Sequence, residues 1–207
     1  MDNYLEQGKQ ALEAGDIDQA IDAFTKALRL SLGNLAEAYL WRGIAHSACQ
    51  AYALAMNDYQ QALNLDPNYA DAYAERGTLL RLTNNPNGAL NDLNIALSLN
   101  PEHLDALYQR ALTYSDLRHY SHAIADLNQV LALDSGIAQA YEQRGQLYAQ
   151  VGDFNRAIDD LERYLRMGGG RYYDNHSETQ SLILNLRLRK WFRRLRPRWF
   201  QRRKPEA

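Results

Sequence analysis

Four stretches of the chain are variants of one pattern: ALRLSLGNLAEAYLWRG (27–43), ALNLDPNYADAYAERG (62–77), ALSLNPEHLDALYQRA (96–111) and VLALDSGIAQAYEQRG (130–145). Each reads as the end of one helix, a tight turn and the start of the next helix. In two of them the turn carries Pro67 after Asp66 or Pro101 after Asn100, and proline cannot continue a helix. A chain that repeats its joints repeats its fold, and units this short bury an apolar face only by stacking on their neighbours.

Aligned on these joints, repeats start at Met1, Ala36, Ala70, Leu104 and Ala138, a spacing of 34 residues with one extra residue in the first interval. An aromatic position early in each first helix holds Tyr4, Tyr39, Tyr73 and Tyr141, with Leu107 departing; a close-packing position holds Gly8, Gly43, Gly77 and Gly145, with Ala111 departing. In the second helices a small position holds Ala20, Ala55, Ala89, Ala123 and Ala157, and a bulky one holds Phe24, Tyr59, Leu93, Leu127 and Leu161. On these residues the chain resembles the tetratricopeptide repeat family over roughly residues 1–170. The expected fold is all-α: an α-solenoid of five helix-turn-helix repeats (1–35, 36–69, 70–103, 104–137, 138–170), a linker over 171–176, a capping and amphipathic helix over 177–196 and a basic tail over 197–207. Such a fold leaves function open.

With 46% hydrophobic residues, the chain is long enough for one elongated domain with its core spread along the stack. Cys49 is the sole cysteine, which rules out an internal disulfide, and at the end of a first helix it is expected to be a small buried residue. The chain opens directly into the first repeat, so a cytoplasmic protein is the simplest expectation. No apolar run approaches the ~20 residues of a membrane span. The net charge of −2 conceals a partition: residues 1–186 carry a balance of −11 and residues 187–207 a balance of +9. Opposite fields on separate segments imply separate classes of partner.

Within the repeats, Asp16 and Asn85 are expected helix caps, Pro86 a first helical residue, and Gly15-Asp16 and Gly152-Asp153 turns; the second repeat lacks the glycine and should break near Gln50-Ala51. Tyr114 and Tyr148 fall on the buried faces of first helices. The repeats also serve as their own alignment. Arg42, Arg76, Arg110 and Arg144 each have an aspartate 16 residues later, Asp58, Asp92, Asp126 and Asp160, whereas repeat one has Gln7 and Ala23 and loses both partners together. This pattern predicts partly buried Arg–Asp pairs between the helices of a repeat.

The resemblance implies a concave groove lined by first helices. Here those positions are Asp2, Leu5, Lys9, Glu37, Leu40, Ile44, Asp71, Thr78, Arg81, Asp105, Tyr108, Leu112, Glu142 and Gln146. An acidic edge with apolar pockets suits a basic, amphipathic protein or peptide client. The lysine and asparagine by which chaperone-binding members clamp a carboxylate terminus are replaced by Leu5 and Lys9, so that client is not expected.

After Gly168-Gly169-Gly170, the run Ser177-Glu178-Thr179-Gln180 reads as a capping box opening a last helix. Leu182, Ile183 and Leu186 are placed to cover the end of repeat five. A second stripe, Leu184, Leu188, Trp191, Phe192 and Leu195, shares the helix with Arg187, Arg189, Lys190, Arg193, Arg194 and Arg196, and Trp199 and Phe200 continue the composition past Pro197. Three readings are open: an anionic membrane surface, an acidic protein groove including that of another copy, or nucleic acid. No phosphate loop, zinc-type histidine pair or nucleophile elbow occurs. His119 and His122 lie at a turn without further ligands, so neither an enzyme nor a cofactor is expected. The expected function is a non-enzymatic adaptor.

Overall fold

A computed structural model describes residues 3–169 and 175–195, in which eleven α-helices and no strand occur. The chain divides into two compact units at Leu117 and Arg118. The first holds α1 (Tyr4–Glu13), α2 (Ile17–Arg29), α3 (Leu35–Ala48), α4 (Tyr52–Leu65), α5 (Ala70–Leu82), α6 (Pro86–Leu99) and α7 (Leu104–Asp116). The second holds α8 (Tyr120–Leu133), α9 (Ala138–Val151), α10 (Phe154–Arg166) and α11 (His176–Leu195). The division falls inside the 104–137 segment, between α7 and α8. Both units are all-α among the described residues, and in the second the last helix caps the repeat before it.

The helix ends follow local chemistry. Asn3, Asp16, Asn34, Asn85 and Asp153 each accept a backbone N–H of the first turn through the side chain, satisfying donors that a helix start leaves unpaired. Pro86 occupies the first turn of α6. The turn between the helices of a pair contains one left-handed residue, and it recurs in register: Gly15, Gln50, Asn84, Arg118 and Gly152, with φ between 61° and 81°. The second repeat thus keeps the turn without the glycine, at the strain a side chain suffers there. Between pairs, the Asp66, Asn100 and Asp134 side chains accept the N–H two residues on, from Asn68, Glu102 and Gly136. These turns end α4, α6 and α8 and re-aim the chain into the next helix.

Close packing follows the small positions. A methyl group added at Gly43 would stand 2.6 Å from the Tyr59 ring, and one at Gly77 or Gly145 would stand 2.9 Å from Leu93 or Leu161. Ala20, Ala55, Ala89, Ala123 and Ala157 are fully buried, as are Phe24, Tyr59, Leu93, Leu127 and Leu161. Glycine on one helix therefore admits the bulky residue of the next, and a full side-chain burial of this kind contributes about 1.5–3 kcal/mol.

In the second unit α11 packs on α10. Ile183 and Leu186 complete a cluster with Tyr148, Phe154, Ile158 and Leu161, and Leu182 packs against it. Three expectations are corrected. Cys49 is exposed, because it follows the last residue of α3 just where the chain turns outward through Gln50; its Sγ donates to the His46 carbonyl at 3.3 Å. Tyr114 is half-buried, whereas Tyr148 is buried. Ser177 is not the cap of the last helix: α11 begins at His176, and the Thr179 N–H donates to the Asn175 carbonyl at 2.9 Å.

Candidate protein-interaction surfaces

Within the units, sequence-matched arginine and aspartate pairs meet. Arg42 donates to Asp58 through Nε (2.9 Å) and a terminal nitrogen (2.7 Å), Arg76 to Asp92 (2.6 and 2.8 Å) and Arg144 to Asp160 (2.7 and 2.8 Å). The aspartates are 1–7% exposed. Arg110 belongs to the first unit and Asp126, itself buried, to the second. The remaining terminal nitrogen of each arginine reaches back to the preceding second helix, to Thr25, Gln60, Asn94 or Asn128. Each guanidinium also lies over a tyrosine: Arg42 over Tyr39, Arg76 over Tyr73, Arg144 over Tyr141, and Arg110 over Tyr114 where Leu107 has displaced the usual ring. One arginine thus ties its own helix pair to the pair before it, using the planar fork that lysine lacks. Both the backward bond and the stacking escape sequence reading, since Thr, Gln and Asn alternate at the accepting position.

In the first unit α1 lies beside α3, α3 beside α5 and α5 beside α7, so their outward positions form one surface. Much of its charge is used internally. Lys9 donates to Glu37 at 2.7 Å and to Glu6 at 3.3 Å and lies over the Trp41 ring. The bond to Glu37 raises the Lys9 pKa despite partial burial. Asp71 stands 3.0 Å from His103 Nε2, and Arg81 3.3 Å from Asp116. Leu40 is 3% exposed, in a cluster with Tyr59, Leu63 and Leu79; α4 and α5 close over it, so it is no groove contact. Leu5 and Ile44 are half-buried against such clusters, Thr78 bonds back to the Ala74 carbonyl, and Tyr108 and Leu112 are half-buried. Asp71 and Asp105 remain exposed.

Glu75, which sequence reading missed, is half-buried on α5. Desolvation, then the charges of Asp105 and Asp71, push its carboxyl up to about 7. Glu6, Trp41, Gln109 and Gln143 occupy the equivalent place elsewhere, so only the packing around it distinguishes this glutamate.

In the second unit Glu142 accepts from Asn175 Nδ2 at 2.7 Å, while the Tyr164 hydroxyl donates to Asn175 Oδ1 at 2.9 Å. Burial raises the Glu142 carboxyl, and these hydrogen bonds oppose that rise. Glu142, half-buried, therefore also holds the start of α11. Exposed Gln146 reaches the same carboxylate at 3.4 Å.

On α11 the two apolar stripes fall on opposite faces. Thr179, Ile183 and Leu186 are at most 6% exposed, whereas Leu184, Leu188, Trp191 and Phe192 are 45–60% exposed. Trp191 and Phe192 meet edge to face at 5.0 Å. Arg187 and Arg189 border the outer stripe, while half-buried Lys190 lies on the inner side; Arg187 donates to Glu162, which also faces Arg166 at 3.8 Å. Leu195, Arg193 and Arg194 fall in α11 without described side chains, and Asp2, Arg196, Trp199 and Phe200 lie outside the described residues. Among the described residues no group of three or more His, Cys, Asp or Glu could hold a metal ion, and no helix is long and apolar enough to cross a membrane.

Residues 48–82 match the TPR repeat family and residues 108–172 the tetratricopeptide repeat family. The chain is a tetratricopeptide-repeat protein. A stretch of 69 residues is 30% identical to heat shock protein STI1 of Saccharomyces cerevisiae, covering 33% of this chain but only 12% of that relative. Among solved structures this tetratricopeptide-repeat protein resembles MamA, with TM-score 0.68 at 24% identity over 84% of this chain and 98% of that one. It also resembles YrrB, described as a TPR protein with an unusual peptide-binding site, with TM-score 0.64 at 22% identity over 84% and 90% of the two chains. A third likeness is to the APC/C hetero-tetramer Cut9-Hcn1, with TM-score 0.78 at 24% identity over 88% of this chain and 35% of that one. These likenesses establish the fold.

Proposed function

We propose that this protein is a cytoplasmic adaptor that holds a basic, amphipathic protein segment on its first-helix surface and is recruited by α11 to an anionic membrane surface. The observation that carries the reading is the outer stripe of α11. Leu184, Leu188, Trp191 and Phe192 are exposed although the same helix has a second apolar face that already seals the core. A cap needs only the inner face; the outer one fits the headgroup zone of a bilayer, with arginines placed for lipid phosphate. For the client, Asp71 and Asp105 supply an exposed acidic rim, and Tyr108 and Leu112 an apolar floor.

Self-association through a pair of outer stripes is disfavoured, since Arg187 and Arg189 would confront their own copies. The test is co-sedimentation of the full chain, and of Trp191→Ala/Phe192→Ala, with neutral and anionic vesicles at low and high salt. Salt-sensitive pelleting with anionic vesicles alone, weakened in the double variant, is expected. A full chain that stays in the supernatant, or that pellets equally with neutral vesicles, refutes the membrane reading, and RNA and an acidic protein are then the alternatives to assay.

A further inference from the structure

We infer that α11 engages the anionic membrane in place, without leaving α10, and that Arg187 passes from Glu162 to a lipid phosphate as it does so. This rests on the membrane reading above and specifies how that surface works.

An amphipathic helix with one apolar face has to choose between its own protein and the bilayer. The 20-residue α11 does not. At about 100° per residue, the face of Thr179, Leu182, Ile183 and Leu186 is centred opposite the sector of Leu184, Leu188 and Trp191. Ile183 and Leu186 are buried in one cluster with Tyr148, Phe154, Ile158 and Leu161, Leu182 packs against it, and Thr179 is buried; the second set projects away from that cluster and is exposed. The start of the helix is also held, through Asn175, by Glu142 and Tyr164. Peeling α11 away would open the core without adding to the outer stripe, which is already presented. Beyond Leu186 the inner side changes character: Lys190 and Arg193 occupy the register that Leu182 and Leu186 occupy earlier. The apolar seal therefore ends where the basic flank begins.

The charge at the junction is Glu162. Its carboxylate faces Arg187 from α11 and Arg166 from its own helix, and Arg187 and Arg166 are both mostly exposed. A phosphate in the headgroup layer offers Arg187 bidentate geometry in place of its single contact to Glu162, while the Glu162 carboxylate at this flank repels the phosphate.

The experiment uses the full chain in a Cys49→Ser background, because the native thiol is exposed. Leu188→Cys carries a polarity-sensitive dye, and Thr179→Cys reports the inner face by its rate of reaction with a water-soluble maleimide. Vesicles are phosphatidylcholine with or without phosphatidylserine. Expected are a blue shift at position 188 with phosphatidylserine only, and a maleimide rate at 179 that stays within about threefold of its value in solution. A blue shift with a larger rise in that rate means the helix peels away, which overturns in-place docking while leaving membrane recruitment standing. No blue shift with either vesicle overturns both. Hydrogen exchange on the unsubstituted chain must agree, with the amides of 179–186 as protected on vesicles as off them. Glu162→Gln should reach half-binding at about fivefold less anionic lipid; unchanged or weaker binding overturns the transfer of Arg187.

Discussion

Arg76 and Asp92 offer the sharpest test of what holds the repeats together, because repeat one shows the same two positions without the pair, as Gln7 and Ala23. Arg76 makes two bonds to Asp92, of 2.6 and 2.8 Å, a third to Gln60 at 2.7 Å, and stacks on Tyr73 at 5.5 Å. Asp92 is 5% exposed, so Arg76→Gln strands a buried carboxylate and should cost about 3–4 kcal/mol. Asp92→Ala leaves an arginine that keeps Gln60, Tyr73 and some solvent, at about 2 kcal/mol. Arg76→Gln/Asp92→Ala removes the stranded charge along with its partner and should cost about 2 kcal/mol, a coupling of about 3–4 kcal/mol. Urea unfolding followed by far-UV circular dichroism measures all four proteins, with an unchanged slope required, since repeat arrays can unfold in parts. Costs that add within about 0.5 kcal/mol would refute the view that burial of the unpaired charge dominates.

Gln50→Gly should stabilise the protein by about 0.5–1 kcal/mol, because the left-handed φ of 63° strains a side chain; a lower urea midpoint would count against the turn geometry. Tyr59→Phe, the aromatic exchange that Phe24 already represents in repeat one, deletes a buried hydroxyl that interacts with Ser47 without a well-formed hydrogen bond and should change stability by less than about 1 kcal/mol. Gly43→Ala drives a methyl group into Tyr59 and should cost at least about 1–3 kcal/mol, measured in the same way. Glu75 has a folded-state pKa raised to about 7 against about 4.3 unfolded, so the folded state binds the extra proton. Its contribution is intact below about pH 4 and is lost as pH rises through 7. Glu75→Gln should therefore stabilise the protein at pH 8 relative to the unsubstituted chain and flatten stability between pH 5 and 8, which thermal melts across that range will show.

The repeating joint, the small and bulky positions and the paired arginines were all legible in the sequence, because each is a local or periodic requirement: a cap, a glycine beside a bulky ring, a charge that cannot be buried alone. The repeats supplied five readings of one rule, and where repeat one dropped Arg and Asp together the rule showed its cause. The inner and outer faces of α11 were legible for the same reason, helical period. Tertiary structure decided the rest. Leu40 and Ile44 share a sequence face with Lys9, yet Leu40 is enclosed by α4 and α5, and the charges expected to meet a client are partly spent on each other, Lys9 on Glu37 and Arg81 on Asp116. Glu142 is turned to Asn175 from 33 residues away, and Glu75 is desolvated by burial and faces the charge of Asp105 on α7. A sequence states which side of a helix a residue occupies; how much water and which charges remain on that side depends on the helices that arrive there, and no period within one helix encodes them.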